Sequence, residues 1–296
     1  MRVDDGVLKL DNVAFYYDRG IVFDGLNVDF KPNKIYGIIG KNDADKSLLL
    51  KCMANIYEVS KGLITYKNES IVNNLDYIGK VFLMDDNYYF SGFNLRLLIK
   101  YLASNHELVL DEATYHHLID VFDFDISKPF FSLSRGQVRI AYFIILFSLK
   151  YPVVFIDEFL DGIDMIYKKE IKSLLRDYIK QDHVIVVLSS NSVKDINDLC
   201  DEVLLLQEGT FKKQMSIKQL NQLYVKYQLV MDEKMNEDDF ALLGLKVYSF
   251  ESFKNIYTIS IANTKDQVDK VLAIDALSLK QVPITHDEVI INELCD

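Results

Sequence analysis

The sequence predicts an α/β protein: a parallel sheet with crossover helices, an antiparallel N-terminal β subdomain, a helical insertion, and a small C-terminal α/β domain. Three observations carry that prediction. Short apolar segments alternate with helix-period segments between residue 35 and about residue 213, the order that builds parallel sheets. A glycine-bounded loop ending in Lys46-Ser47 follows directly on the apolar segment 35–39. Beyond about residue 216 the texture changes to a compact βαββαβ order.

Segments 7–16 and 22–30 alternate or cluster apolar residues as strands do, and 35–39 reads as a short buried strand. A helix is expected over 46–54, then strands over 62–66 and 77–84. The insertion, about 86–135, has helical periodicity over 95–102 and 113–122. From Gln137 a helix begins whose apolar run 140–149 marks it as buried; strand 153–156, helix 165–179, strand 184–188 and strands near 203–206 and 210–213 follow. Residues 1–215 form the larger expected domain. Residues 216–296 form the smaller, with strand 228–231, helix 237–243, strands 246–250 and 257–261, helix 267–273, strand 279–284 and a closing helix 287–294.

At 296 residues the chain has the length of about two domains, and 50% hydrophobic residues make it globular. A net charge of −11 argues against a general nucleic-acid binder. Cys52, Cys200 and Cys295 lack metal-ligand spacing and are too few for a disulfide scaffold, so they read as packing residues in a reducing compartment. No N-terminal charged and apolar signal is expected, and no apolar run approaches the roughly 20 residues that span a bilayer. Any membrane role must come through a partner.

The loop from Gly40 through Lys41, Asn42, Asp43, Ala44, Asp45, Lys46, Ser47 and Leu48 has the frame of a phosphate-binding P-loop. Gly40 supplies the first glycine and Lys46-Ser47 the end, but Asp43 and Asp45 stand where the last two glycines belong. Those glycines normally let backbone N–H groups wrap the phosphates at a helix N-terminus. A carboxylate about 5 Å from a phosphate charge, at an effective dielectric near 20, opposes binding by about 3 kcal/mol. Pairing with Lys41 or Lys46 would soften that penalty, so weakened rather than abolished binding is expected.

Downstream come Leu133-Ser134-Arg135-Gly136-Gln137, then Val153-Val154-Phe155-Ile156-Asp157-Glu158, then Phe159-Leu160-Asp161-Gly162-Ile163-Asp164. In this order and spacing the chain resembles the nucleotide-binding subunits of ABC transporters: P-loop, LSGGQ-type signature, Walker B strand and D-loop. The resemblance implies ATP and Mg²⁺ as cofactors. It gives Lys46 to the β/γ phosphates, Ser47 and Asp157 to the metal, Glu158 to the general base, and Ser134, Gly136 and Gln137 to the signature surface. Tyr17 matches the aromatic that stacks on adenine, with Tyr16 as substitute and strand packing as the plain alternative. At the Mg²⁺-sensing glutamine stands Leu83, unless the register slips to Asp85 or Asp86. At the switch histidine stands Asn191, which can hydrogen-bond but not carry charge.

Such subunits work head to tail, each composite site joining one chain's P-loop and Walker B residues to the other's signature. The departures fall on this chain's own site, whereas Ser134, Gly136, Gln137 and Asp164 are retained and only Arg135 departs from the signature. The resemblance therefore implies the degenerate half of an asymmetric ATPase pair, with a permease and a second ATP-binding subunit as partners, peripheral on the cytoplasmic face of the membrane. A slow homodimeric ATPase and a non-hydrolysing scaffold remain alternatives; channel-free remodellers of ribosomes or DNA generally need a second cassette or a long coiled coil, neither of which is visible. The C-terminal domain resembles the extension of bacterial drug- and peptide-exporter ATPases, implying export, bacteriocins included, with a generic dimerisation or regulatory domain as the plain alternative. Tyr88, Tyr89, Phe90 and Phe93 lie where such subunits grip the permease, or else form core.

Overall fold

The computed structural model describes residues 6–17, 20–40, 43–85, 90–158, 160, 162–180, 183–190, 193–285, 288–289 and 292. Contacts divide the chain into two compact units, Met1–Gln214 and Met215–Asp296. The first opens with β1 (Leu8–Tyr17), β2 (Gly20–Phe30), β3 (Lys34–Ile39) and α1 (Asp43–Met53), followed by β4 (Lys61–Tyr66), β5 (Glu69–Ser70), α2 (Leu75–Ile78) and β6 (Val81–Met84). Helices α3 (Leu95–Asn105) and α4 (Glu112–Val121) form the insertion, closed by a 3-10 turn at Phe130–Ser132. Then come α5 (Arg135–Leu149), β7 (Val153–Ile156), α6 (Met165–Tyr178), β8 (Ile185–Ser189), α7 (Val193–Leu199), β9 (Glu202–Gln207) and β10 (Thr210–Ser216).

One antiparallel sheet has the order β2-β1-β4-β5, and the central sheet has the order β10-β9-β3-β8-β7-β6. Within the latter, β9, β3, β8, β7 and β6 run parallel to one another. Leu8, Phe23 and Phe30 of the antiparallel sheet share one apolar cluster with Leu49, Leu50 and Met53 of α1 and with Ile38, Val153, Phe155 and Val187 of the central sheet. Burial of that cluster anchors α1 immediately behind the P-loop. Helix α5 is buried at every position from Val138 to Leu149, as befits a helix apolar on all sides, and contacts α3, α4, α6 and β6.

Two expectations need correction. Helix α1 begins at Asp43 rather than at Lys46; acidic residues are favoured in a first helical turn by the macrodipole, which suits a helix that starts ahead of Lys46. Segment 77–84 is not one strand: Asn74 caps α2 by accepting from the Tyr77 N–H, and the strand begins only at Val81. Tyr77 is buried and its hydroxyl donates to the Met53 carbonyl at 2.6 Å, a tertiary contact that overrides the β preference of the aromatic. The short elements β5 and α7 carry no period long enough to announce them.

The second unit consists of α8 (Ile217–Leu220), β11 (Tyr224–Val230), α9 (Glu237–Leu242), β12 (Val247–Phe253), β13 (Ile256–Ala262), α10 (Lys265–Leu272) and β14 (Ser278–Val282). Its antiparallel sheet has the order β12-β13-β11-β14. Phe240 of α9 and Val271 of α10 join Tyr227, Leu229, Tyr257, Ile259 and Ile261 in its core. Strand β11 starts at Tyr224, ahead of the expected 228. Of the closing helix expected over 287–294, residues 288, 289 and 292 are described, and they are helical.

Candidate nucleotide site

Strand β3 delivers the chain to Gly40, where a Cβ would lie 2.4 Å from the Leu206 carbonyl oxygen, so only glycine fits. Lys41 and Asn42 lie outside the described residues, as do the side chains of Asp43 and Ala44. Asp45 is half-buried in the first turn of α1. Lys46 is buried, its Nζ donating to the Gly40 carbonyl at 2.6 Å, so the ammonium folds back onto the loop. Ser47 is half-buried; Leu48 packs against the core cluster, and its side chain is structural. The positive end of α1 is the natural seat for a phosphate. Carboxylates at that end stabilise the helix by about 0.3–1 kcal/mol each and oppose an incoming anion for the same reason.

Tyr17, at the end of β1, is 67% exposed, so its ring is open to stacking. Tyr16 is engaged: its hydroxyl donates to Asp24 Oδ1 at 3.3 Å and the Lys61 ammonium lies 5.2 Å from its ring centre.

Strand β7 carries the Walker B residues to the carboxyl end of the parallel strands. Asp157 N–H donates to the Met84 carbonyl at 2.8 Å, and Asp157 Oδ1 accepts from Ser189 Oγ at 2.6 Å. Ser189 Oγ in turn accepts from the Glu158 N–H at 2.9 Å, so one hydroxyl at the end of β8 braces both acids. Sequence reasoning missed Ser189, because only the β7–β8 pairing brings it there. It also missed Arg139, which is buried and whose Nη1 donates to the Asp157 and Glu158 carbonyls at 3.1 and 2.7 Å. The signal was an arginine set between Val138 and the apolar run 140–149 of α5.

The parallel register pairs Leu83 with Phe155 and Met84 with Ile156. Leu83 packs against the core cluster, so it does not face the metal position. Asp85 follows the strand end beside Asp157, with its side chain 5% exposed and 3.6 Å from Lys51 Nζ. Asp86 and Asn191 lie outside the described residues, as do Tyr88 and Tyr89. Phe90 and Phe93 pack with Tyr101 at ring separations of 5.5 to 5.8 Å.

Ser134 is the N-cap of α5. Its Oγ accepts from the Gln137 N–H at 3.3 Å while Gln137 Oε1 accepts from the Ser134 N–H at 2.9 Å, a reciprocal capping box. Gly136 presses on the D-loop, where a Cβ would lie 2.3 Å from the Gly162 carbonyl oxygen. Asp164 caps α6 by accepting from the Ile166 N–H at 3.0 Å. The signature turn is thus built as a rigid joint.

Among the described residues no three His, Cys, Asp or Glu side chains cluster as a metal cage. A serine hydroxyl and one carboxylate braced by Ser189 nonetheless suit Mg²⁺, which keeps waters and takes substrate phosphates as ligands. Ser47 and Asp157 would hold it, and the ion would neutralise phosphate charge. Cys52 and Cys200 are buried, and burial pushes the Cys52 thiol up to about 12, which suits packing; Cys295 lies outside the described residues.

A phosphate-loop helix, a braced acid pair at the carboxyl end of a parallel strand and a capped signature turn define a P-loop nucleotide-binding fold of the ABC ATPase type. Residues 23–161, within the first unit, match the family model described as ABC transporter. The chain is 25% identical over 233 residues, 72% of its length and 81% of the relative's, to the energy-coupling factor transporter ATP-binding protein EcfA2 of Staphylococcus aureus strain MRSA252. Among solved structures, an ATP binding subunit of an ABC transporter superposes with a TM-score of 0.66 at 17% identity, over 73% of this chain and 92% of that one. CbiO1 from Clostridium perfringens, described as part of the ABC transporter complex cbiONQ, superposes with a TM-score of 0.60 at 22% identity, over 73% and 90%.

Proposed function

We propose that this chain is the degenerate ATP-binding subunit of a membrane transporter, which lends its signature turn to the hydrolytic site of a second ATPase subunit and binds ATP weakly at its own. The observation that carries this reading is an asymmetry. The signature turn keeps Ser134, Gly136 and Gln137 in a closed cap pressed on the D-loop, while the helix that should seat phosphate begins with Asp43 and Asp45. On this reading the subunit sits on the cytoplasmic face of the membrane through a permease partner; no helix among the described residues is long and apolar enough to cross a membrane. The EcfA2 and CbiO1 relatives, one named for a transporter and the other described as part of a complex, support membrane-linked partners.

The purified chain should turn over ATP slowly with Mg²⁺, and activity should appear when a second ATPase subunit and a permease are added. Full turnover by the chain alone counts against the proposal. A slow homodimer is the second reading, favoured by retention of Lys46, Ser47, Asp157 and Glu158. Restoring glycine at positions 43 and 45 separates the two, since a homodimer should accelerate markedly. Export of a drug, peptide or bacteriocin is supported by the C-terminal unit alone, whereas the relatives of the ATP-binding domain carry the energy-coupling factor name. Cargo movement measured in vesicles bearing the complex decides between them.

A further inference from the structure

Arg135 ties the signature turn to the Walker B glutamate of the same chain. Its Nη2 donates to Glu158 Oε2 at 3.1 Å, with the two side chains 46% and 32% exposed. Arg135 is the first residue of α5, where a cation meets the positive end of the macrodipole. A neighbouring carboxylate offsets that unfavourable placement. Glu158 is gripped from behind: its backbone takes a left-handed φ of +48°, its N–H donates to Ser189 and its carbonyl accepts from Arg139. The backbone is therefore fixed, and the carboxylate is the part that can turn. An ion pair so accessible to water is weakly held and readily exchanged.

We propose that Arg135 is a positioning residue that parks Glu158 against the chain's own signature turn. On the function proposed above, that turn is presented to ATP held by a second subunit. Phosphate oxygens carry more charge than one carboxylate and match the planar fork of a guanidinium, so they draw Arg135 away. Docking of the signature turn and release of Glu158 toward this chain's own site are then one event. A glycine at position 135, as the signature pattern has it, would leave the two sites without this link.

The test measures binding rather than turnover, with the full chain, Mg²⁺ and an N-methylanthraniloyl derivative of ATP. Arg135→Ala leaves the Glu158 charge unmasked near the bound phosphates and weakens affinity by about three- to tenfold. Arg135→Lys stays within about twofold of the parent, and adding Glu158→Gln to Arg135→Ala restores parental affinity. Equal affinity in parent and Arg135→Ala, or a loss that persists with Glu158→Gln, overturns the proposal. Should the parent bind too weakly to measure, thermal unfolding of the same variants supplies the cycle. Coupling at low salt that vanishes in about 1 M salt is expected, and additive effects at both overturn the proposal. Rapid ATP turnover by the parent chain alone would defeat the functional reading while leaving this coupling intact; additive variants in a slow parent would do the reverse.

Discussion

At the scale of single residues, Gly136 sets how closely the signature turn approaches the D-loop. With a Cβ placed 2.3 Å from a backbone carbonyl that belongs to Gly162 at a φ of +70°, Gly136→Ala forces apart two backbones that have little room to move. Overpacking of this kind costs about 1–3 kcal/mol, read as a lower urea midpoint. Ser134→Ala removes a cap and should cost about 1 kcal/mol, leaving the fold intact. The order of Ser134, Gly136 and Gln137 was legible because the motif is contiguous. The capping role of Gln137 was not, since it depends on where α5 begins. Ser189 and Arg139 were invisible for a related reason: each reaches the acid pair across elements far apart in the chain.

At the scale of elements, the buried helix α5 holds the signature turn in place. Phe143 is fully buried and stacks on Phe147 with ring centres 5.9 Å apart. Phe143→Ala should cost about 3–5 kcal/mol in denaturant unfolding. Helix α3 is capped at its C-terminus by His106, whose ring Nδ1 is hydrogen-bonded with the Tyr151 hydroxyl at 2.9 Å. Burial lowers the His106 pKa. A base depressed in the folded state contributes stability above its unfolded pKa, about 6.5, and that contribution is lost as pH falls below it. Urea midpoints should therefore drop between pH 7.5 and 5.5, with a shallower drop in His106→Gln. Long periodic elements such as α3, α4 and α6 were plain in the sequence. The break in 77–84 was not, because an asparagine cap and the buried Tyr77 hydroxyl, rather than any periodicity, decide it.

At the scale of the whole molecule, a nucleotide-binding fold is kept while one end of its phosphate cradle turns acidic. Alternating apolar and helical segments made the parallel sheet legible, but the sequence left the magnesium-sensing position open among Leu83, Asp85 and Asp86. The β6–β7 pairing turns Leu83 into core and brings Asp85 beside Asp157. Asp43→Gly together with Asp45→Gly should tighten ATP binding by about tenfold or more, measured by titration of the purified chain. The central claim is a division of labour between two composite sites, and ATP turnover by the assembled transporter tests it most directly. With Ser134→Ala in this chain, turnover should fall by about a hundredfold or more, whereas Lys46→Ala in this chain should lower it by no more than about threefold, in the range of one lost transition-state contact against none. A collapse with Lys46→Ala and near-normal turnover with Ser134→Ala would contradict the account.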